Sequence, residues 1–318
     1  MSPPPQQQQS SEQLGSPRFG RVVTAMVTPF DEDGALDLPA AVDLARWLAE
    51  HGSDGLVLSG STGESSVLTD DEKVALWRAV AEAVTIPVVA GTGSNDTAHS
   101  IAMTKEAATS GVDGILLVTP YYNRPSQAGI FEHFRTVADA AGNLPVMLYD
   151  IPVRSGRRIA TPTMLRLARE VANIVALKDA AGDPATTAHL AAQVPNGFEI
   201  YSGDDVMTLP LMAVGAVGVI SVAAHWIAPQ LRQVIDSFVA GDLIAAIAGN
   251  AELLDSFDFE STEEYPNPLP AKAMLRALGL KVGQCRLPMG ASTPELDTQA
   301  QKILAAVGPP AVTVAPLA

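Results

Sequence analysis

The feature that most limits the folds open to this chain is an alternation. From Arg21 onward, short runs rich in β-branched and aliphatic residues are each followed by a longer stretch with apolar residues at three-and-four spacing. The strand-like runs are 22–30, 55–60, 87–93, 114–120, 145–152, 174–181, 198–205 and 218–224. The helical stretches are 38–51, 69–84, 95–110, 126–141, 161–171, 183–194, a short one at 204–214, and 227–239. Several helices open on recognisable caps: Thr69-Asp70-Asp71-Glu72 has the form of a capping box, Asn95 and Asp96 can cap the third helix, and Thr161-Pro162 offers a cap followed by proline. Glycine recurs before the next strand at Gly52, Gly111 and Gly197.

Eight β-then-α units over roughly 220 residues predict a closed (β/α)8 TIM barrel of the α/β class. An open doubly wound sheet would carry a glycine fingerprint after its first strand, where this chain has Thr28-Pro29-Phe30; the GTGSND at 91–96 lacks the third glycine. The predicted organisation is a disordered N-terminal tail over 1–17, a catalytic barrel over 18–241, a C-terminal helical region over 242–307 and a loose tail over 308–318. Helical patterns in the third part fall near 242–256, 271–278 and 294–307, with the proline-rich PNPLP at 266–270 between them.

In such a barrel, catalytic groups gather where strands end and the following loops begin. Those ends are rich in polar chemistry here: Gly60-Ser61-Thr62-Gly63-Glu64-Ser65 after the second strand, Thr119-Pro120-Tyr121-Tyr122-Asn123 after the fourth, Tyr149-Asp150 and Arg154 after the fifth, Gly203-Asp204-Asp205 after the seventh and Ile220-Ser221 on the eighth. The sixth strand, IVALKDAA, carries Lys178, alone of the six lysines among aliphatic residues at strand spacing; Ala176 and Ala180 share its face, while Val175 and Leu177 point the other way. A desolvated lysine loses its charge more readily, and the neutral amine attacks a carbonyl to give a Schiff base. On the octapeptide alone, a lysine snorkelling from the strand end or paired with Asp179 satisfies the same pattern. Equally, GSTGES alone is a turn with a cap, Tyr121-Tyr122 is aromatic packing, and Arg154 is a partner for a surface acid.

Together they form one chemistry. The hydroxyls and backbone N–H groups of Ser61-Thr62-Gly63 suit a small carboxylate. A 2-oxo acid held there would present its carbonyl to Lys178. A phenol, Tyr149 or Tyr122, linked by a hydroxyl such as Ser61, can move protons. Arg154 can fork onto the carboxylate of a second acidic substrate.

Other classes recede. A formal charge of -15 disfavours nucleic acid and anionic membranes as partners. No apolar span of about 20 residues predicts a transmembrane helix. Cys285 is the only cysteine, so no intrachain disulfide forms, and the five histidines make no short-spaced ligand pair, which argues against a metal. A cytoplasmic protein is expected.

Taken in order, GSTGES, TPYYNRP, LYDIPVRSG, ALKDAAG, YSGDD, GVISV and PNPLPAK resemble the dihydrodipicolinate synthase family within the pyruvate-dependent class I aldolases, over residues 21–294. GxTGE and the lysine are shared across that superfamily; TPYYNRP with YxxPxRxG is more specific to the synthase. The resemblance implies condensation of pyruvate with L-aspartate 4-semialdehyde to 4-hydroxy-tetrahydrodipicolinate, on the route to diaminopimelate and lysine, with no cofactor beyond the covalent imine on Lys178. It implies Tyr149 as proton donor and acceptor, Thr62 and Gly63 at the pyruvate carboxylate, Ile220 and Gly203 lining the pyruvate pocket, and Arg154 on the semialdehyde carboxylate. It further implies a relay through Tyr149, Ser61 and Tyr122, with Tyr122 supplied by a neighbouring subunit of a homotetramer, a dimer of dimers.

Three positions depart from the family. Ser61 stands where threonine is usual, and the missing methyl frees its rotamer, so retained but reduced activity is expected. Asp150 replaces a common asparagine on the face away from Lys178. Of the residues that form the lysine-feedback pocket in sensitive members, Ser65, Asn95 and Tyr121 match, but Lys73 and His99 replace a histidine and a glutamate, so weak or absent lysine inhibition is expected. The alternatives are another pyruvate aldolase or keto-deoxy sugar acid dehydratase using the same lysine, and a non-catalytic sensor of 2-oxo acids.

Overall fold

A computed structural model describes residues 16–310. All but the last two residues of the N-terminal tail expected at 1–17, and most of the tail expected at 308–318, lie outside these described residues. Eight parallel strands close in sequence order into a barrel: β1 (Val22–Ala25), β2 (Gly55–Leu58), β3 (Val88–Gly91), β4 (Gly114–Val118), β5 (Val146–Asp150), β6 (Ile174–Asp179), β7 (Glu199–Ser202) and β8 (Gly218–Ser221), with β8 pairing back onto β1. Each strand is shorter than its apolar run, because the residues that follow leave the sheet to build the rim where the polar groups lie.

The surrounding helices are α1 (Leu38–Glu50), α2 (Asp70–Ala83), α3 (Thr97–Ala108), α4 (Gln127–Ala140), a single turn α5 (Pro152–Ser155), α6 (Thr161–Glu170), α7 (Pro184–Ala191), α8 (Thr208–Met212) and α9 (Ala224–Val239). The capping box at α2 is formed in both directions: Glu72 N–H donates to Thr69 Oγ1 at 3.2 Å and Thr69 N–H donates to Glu72 Oε2 at 2.8 Å. Such a cap is worth about 1 kcal/mol. Asp96, not Asn95, caps α3 through the Ala98 N–H. Thr161 lies inside α6, whose cap is Ala160 with no side-chain bond. The helix expected over 204–214 is instead a 3-10 turn, Asp205–Met207, followed by α8, because Asp205 folds inward to bond the backbone after β8. Gly52, Gly111 and Gly197 all adopt positive φ, the conformation that returns the chain toward the next strand.

Two apolar layers result. Inward residues fill the barrel, among them Val23, Val57, Leu116, Met147, Ala176, Tyr201 and Ile220, while Leu56, Leu58, Leu148, Leu177 and Val219 pack outward against the helices. Leu177 points outward as its parity predicts, but Val175 does not; a register shift between β5 and β6 sends it to the inner layer.

The remaining chain forms α10 (Leu243–Glu252), α11 (Leu254–Phe259), α12 (Leu269–Ala277) and α13 (Pro294–Val307). The PNPLP segment between α11 and α12 returns to the mouth of the barrel, where Asn267 Nδ2 donates to Thr62 Oγ1 at 2.9 Å. No helix among the described residues is long and apolar enough to cross a membrane.

Candidate active site

Lys178 and Tyr149 sit opposite each other on β6 and β5, and both side chains face the barrel interior. The Lys178 Nζ lies 4.4 Å from the centroid of the Tyr149 ring. Lys178 is 5% exposed, so it does not snorkel. Nor does it pair with Asp179, which points to the other side of the strand and accepts from Thr187 Oγ1 at 2.6 Å. Burial pushes the Lys178 amine down to about 8, assisted by Arg154 and opposed by Asp205, Glu260 and Asp204. Burial raises the Tyr149 phenol to about 12, although Arg154 and a hydrogen bond with Ser61 pull it back. The amine therefore gives up its proton more readily than an exposed lysine does, beside a phenol that stays neutral.

Gly203, the residue after β7, is what lets the lysine lie there. A Cβ at this position would stand 2.9 Å from Lys178 Cγ, closer than real Cβ atoms approach, and 3.0 Å from its Cε. Ile220 lies on the inner face of β8, fully buried.

The Ser61-Thr62-Gly63 loop leaves β2 through two left-handed residues, Ser59 and Glu64. Gly63 is pinned beneath it: its carbonyl accepts from Thr28 Oγ1 at 2.7 Å, and an added Cβ would meet Ser59 N at 3.0 Å. Glu64, buried, forms an ion pair of 2.7 Å with Lys272 of α12, itself buried, and accepts from the Arg286 N–H at 2.9 Å. The Lys272 ammonium also donates to the Gln284 carbonyl at 2.9 Å and lies 4.1 Å from the centroid of the Phe30 ring. The C-terminal helical region therefore holds the loop from behind through Lys272 and Arg286, and from the front through Asn267. Sequence reasoning gave no role to Asn267, Lys272 or Glu64. The signal for Lys272 was weak: every other residue of α12 except Arg276, one turn on, is apolar.

Above this floor a cavity of about 210 Å³ opens, lined by Ser61, Tyr121, Ile151, Arg154, Pro268 and Met289 among others. Ser61, bonded to Tyr149, joins the cavity to Lys178. The Arg154 guanidinium donates to the Asn267 carbonyl at 3.4 Å, and none of the ion pairs among the described residues engages it. Tyr122 is not brought to the lysine within this chain; it is 89% exposed, on a left-handed turn. Among the described residues no group of three or more His, Cys, Asp or Glu side chains is arranged to hold a metal ion.

The chain matches the model of the dihydrodipicolinate synthetase family over residues 18–307. It is 49% identical over 292 residues to the 4-hydroxy-tetrahydrodipicolinate synthase of Moorella thermoacetica, covering 91% of this chain and 98% of that one. It is 50% identical over 293 residues to the enzyme of the same name from Acidothermus cellulolyticus, with 91% and 93% covered. Among solved structures, a dihydrodipicolinate synthase from Bacillus anthracis superposes with a TM-score of 0.87 at 43% identity, covering 91% of this chain and 98% of that one. The enzyme from Cyanidioschyzon merolae with lysine bound superposes with a TM-score of 0.88 at 44% identity, with the same coverage. A closed barrel with a buried lysine beside a buried phenol, and similarity on this scale along nearly the whole chain, make this protein a member of the dihydrodipicolinate synthetase family.

Proposed function

We propose that this protein is a lyase that condenses pyruvate with L-aspartate 4-semialdehyde to 4-hydroxy-tetrahydrodipicolinate, in the synthesis of diaminopimelate and lysine. The observation that carries the reading is the desolvated Lys178 amine beside Tyr149, with Ser61 connecting the phenol to a cavity that Arg154 lines. The neutral amine adds to C2 of pyruvate, whose carboxylate rests on Thr62 and the backbone at Gly63, while Gly203 and Ile220 shape the pocket. Loss of water leaves an iminium. Its positive nitrogen draws electrons from the methyl group, which gives up a proton and becomes an enamine carbon.

That carbon adds to the aldehyde of the second substrate, held through its carboxylate by Arg154. The developing alkoxide takes a proton from Tyr149, which is resupplied through Ser61 and the Tyr122 of a neighbouring subunit. The substrate's own amine then displaces the lysine nitrogen, closing the ring and freeing Lys178. The chemistry needs no cofactor beyond this covalent imine, and the enzyme works on small molecules in the cytoplasm as a homotetramer. The serine at position 61 keeps the relay hydroxyl with a freer rotamer, at reduced rate.

Borohydride trapping with pyruvate, followed by peptide mass measurement, is expected to place one reduced adduct on Lys178. A coupled assay with the semialdehyde is expected to show turnover. A wild-type protein that traps no adduct would be a binder of 2-oxo acids at most; one that traps pyruvate yet ignores the semialdehyde would be another aldolase of the same superfamily.

A further inference from the structure

Behind Lys178 lie two buried carboxyl groups that the reaction above does not use. Asp205 opens the 3-10 turn after β7, and Glu260 follows α11 in the C-terminal region; both are shielded from solvent. They converge on one donor. The Ala223 N–H, just past β8, donates to Glu260 Oε2 at 3.1 Å and to Asp205 Oδ2 at 3.3 Å. Asp205 Oδ2 also accepts from the Val222 N–H at 2.8 Å. Its other oxygen, Oδ1, is buried without a hydrogen-bond partner, and the neighbouring Glu260 carboxyl is the group that can give it one by keeping its proton. An ionised carboxylate only accepts, so two of them sharing an N–H in a dry site hold a proton between them.

The surroundings decide which sign of charge the pair can show. Asp204, on the same turn, acts on Glu260; both carboxyls of the pair act on Lys178 of β6, and so does Arg154 of α5 with the opposite sign. His225 of α9 is a further titratable neighbour; its Nε2 accepts from the Val27 N–H at 3.1 Å, which leaves Nδ1 to donate to the Val222 carbonyl, so the ring is neutral. Burial lowers it to about 4. Burial and the Asp205 carboxylate hold Glu260 well above the usual range, so the proton belongs there.

We propose that Glu260 is a charge-setting positioning residue: by keeping one proton against Asp205, it makes the pair present a single negative charge to the Lys178 nitrogen. This rests on Lys178 being the imine-forming amine. The nitrogen must be neutral to attack and positive as an iminium. No counter-charge would leave the iminium stranded in a dry site, and two would hold the lysine as ammonium. One charge serves both states. The C-terminal region, which supplies Glu260, therefore sets the protonation of a lysine on the sixth strand.

The test follows the pH midpoint of pyruvate adduct formation in the full-length wild type, Glu260→Gln, and the double variant Asp205→Asn/Glu260→Gln, with thermal melts to establish folding. Glu260→Gln replaces a neutral donor with a neutral donor, and its midpoint is expected at the wild-type position whatever its turnover. The double variant removes the charge, and its midpoint is expected lower by roughly one pH unit or more. A Glu260→Gln midpoint displaced as far as that of the double variant, or a double variant with no displacement, overturns the proposal. If either variant does not fold, isotope-edited infrared spectroscopy on the wild type decides: a protonated Glu carboxyl band near neutral pH supports the shared proton, and its absence refutes it. Absence of any adduct in the wild type would instead fail the assignment of Lys178 itself.

Discussion

Asp150 shows how much one residue's parity on a strand decides. Tyr149 faces the reaction; its neighbour faces the helices, where Asp150 accepts from the Ile159 N–H at 3.2 Å and lies 3.8 Å from the Arg158 guanidinium. Burial raises its carboxyl to about 7, with nearby Asp179 adding and the Ile159 bond and Arg158 subtracting. The native state keeps this proton between about 4 and about 7 while the unfolded chain releases it, so stability falls as pH rises through that window. Asparagine can accept the same N–H without a charge. Asp150→Asn is expected to raise stability by on the order of 2 kcal/mol at pH 8, with the gain vanishing toward pH 4. Denaturant melts at the two pH values measure this; equal gains at both would refute the account. The candidate site was legible at this scale where a polar side chain stood at or just past a strand end, as with Ser61, Tyr149 and Lys178. Glu260 and Asn267 were not legible, because their partners lie far along the chain; Asn267 and Thr62 are 205 residues apart. No local spacing encodes such a contact.

At the scale of elements, the alternation in the sequence placed all eight strands, and periodicity located the helices around the barrel. It failed where a side chain left its expected partner: at Asp205, which broke the seventh helix, and at Val175, where the pairing with β5 slips. Two elements carry direct tests. Gly203→Ala on the segment after β7 drives a methyl into the Lys178 side chain, and such overpacking costs about 1–3 kcal/mol. Pyruvate trapping is expected to fall at least tenfold, roughly, in a protein that still melts cooperatively; trapping at the wild-type rate would show that the lysine has room to move. Lys272→Met on α12 leaves Glu64 buried and uncompensated, a loss of about 3–5 kcal/mol. Adding Glu64→Gln should recover part of it, and a double variant no more stable than the single would mean that the pair is not the staple.

For the whole molecule, the exposed Tyr122 and the cavity beside Tyr121 make quaternary structure part of the proposed reaction. Sedimentation is expected to find a tetramer, and Tyr122→Phe is expected to lower kcat at least tenfold, roughly, without moving the melting temperature. A monomer with full activity would exclude a relay through a neighbouring subunit. Near the same rim, Asp70 is occupied by both departing residues, 2.9 Å from His99 Nε2 and 3.7 Å from Lys73 Nζ. Asp70 is already engaged by both and is not free to hold a second ammonium, so millimolar lysine is expected to leave the rate unchanged; inhibition in the submillimolar range would refute this. Lastly, Asn267, Lys272 and Arg286 all reach back to a turn that follows the second strand. During translation the ribosome can therefore release a complete ring of strands whose Ser61-Thr62-Gly63 turn has nothing to brace it until the segment from Asn267 to Arg286 has emerged.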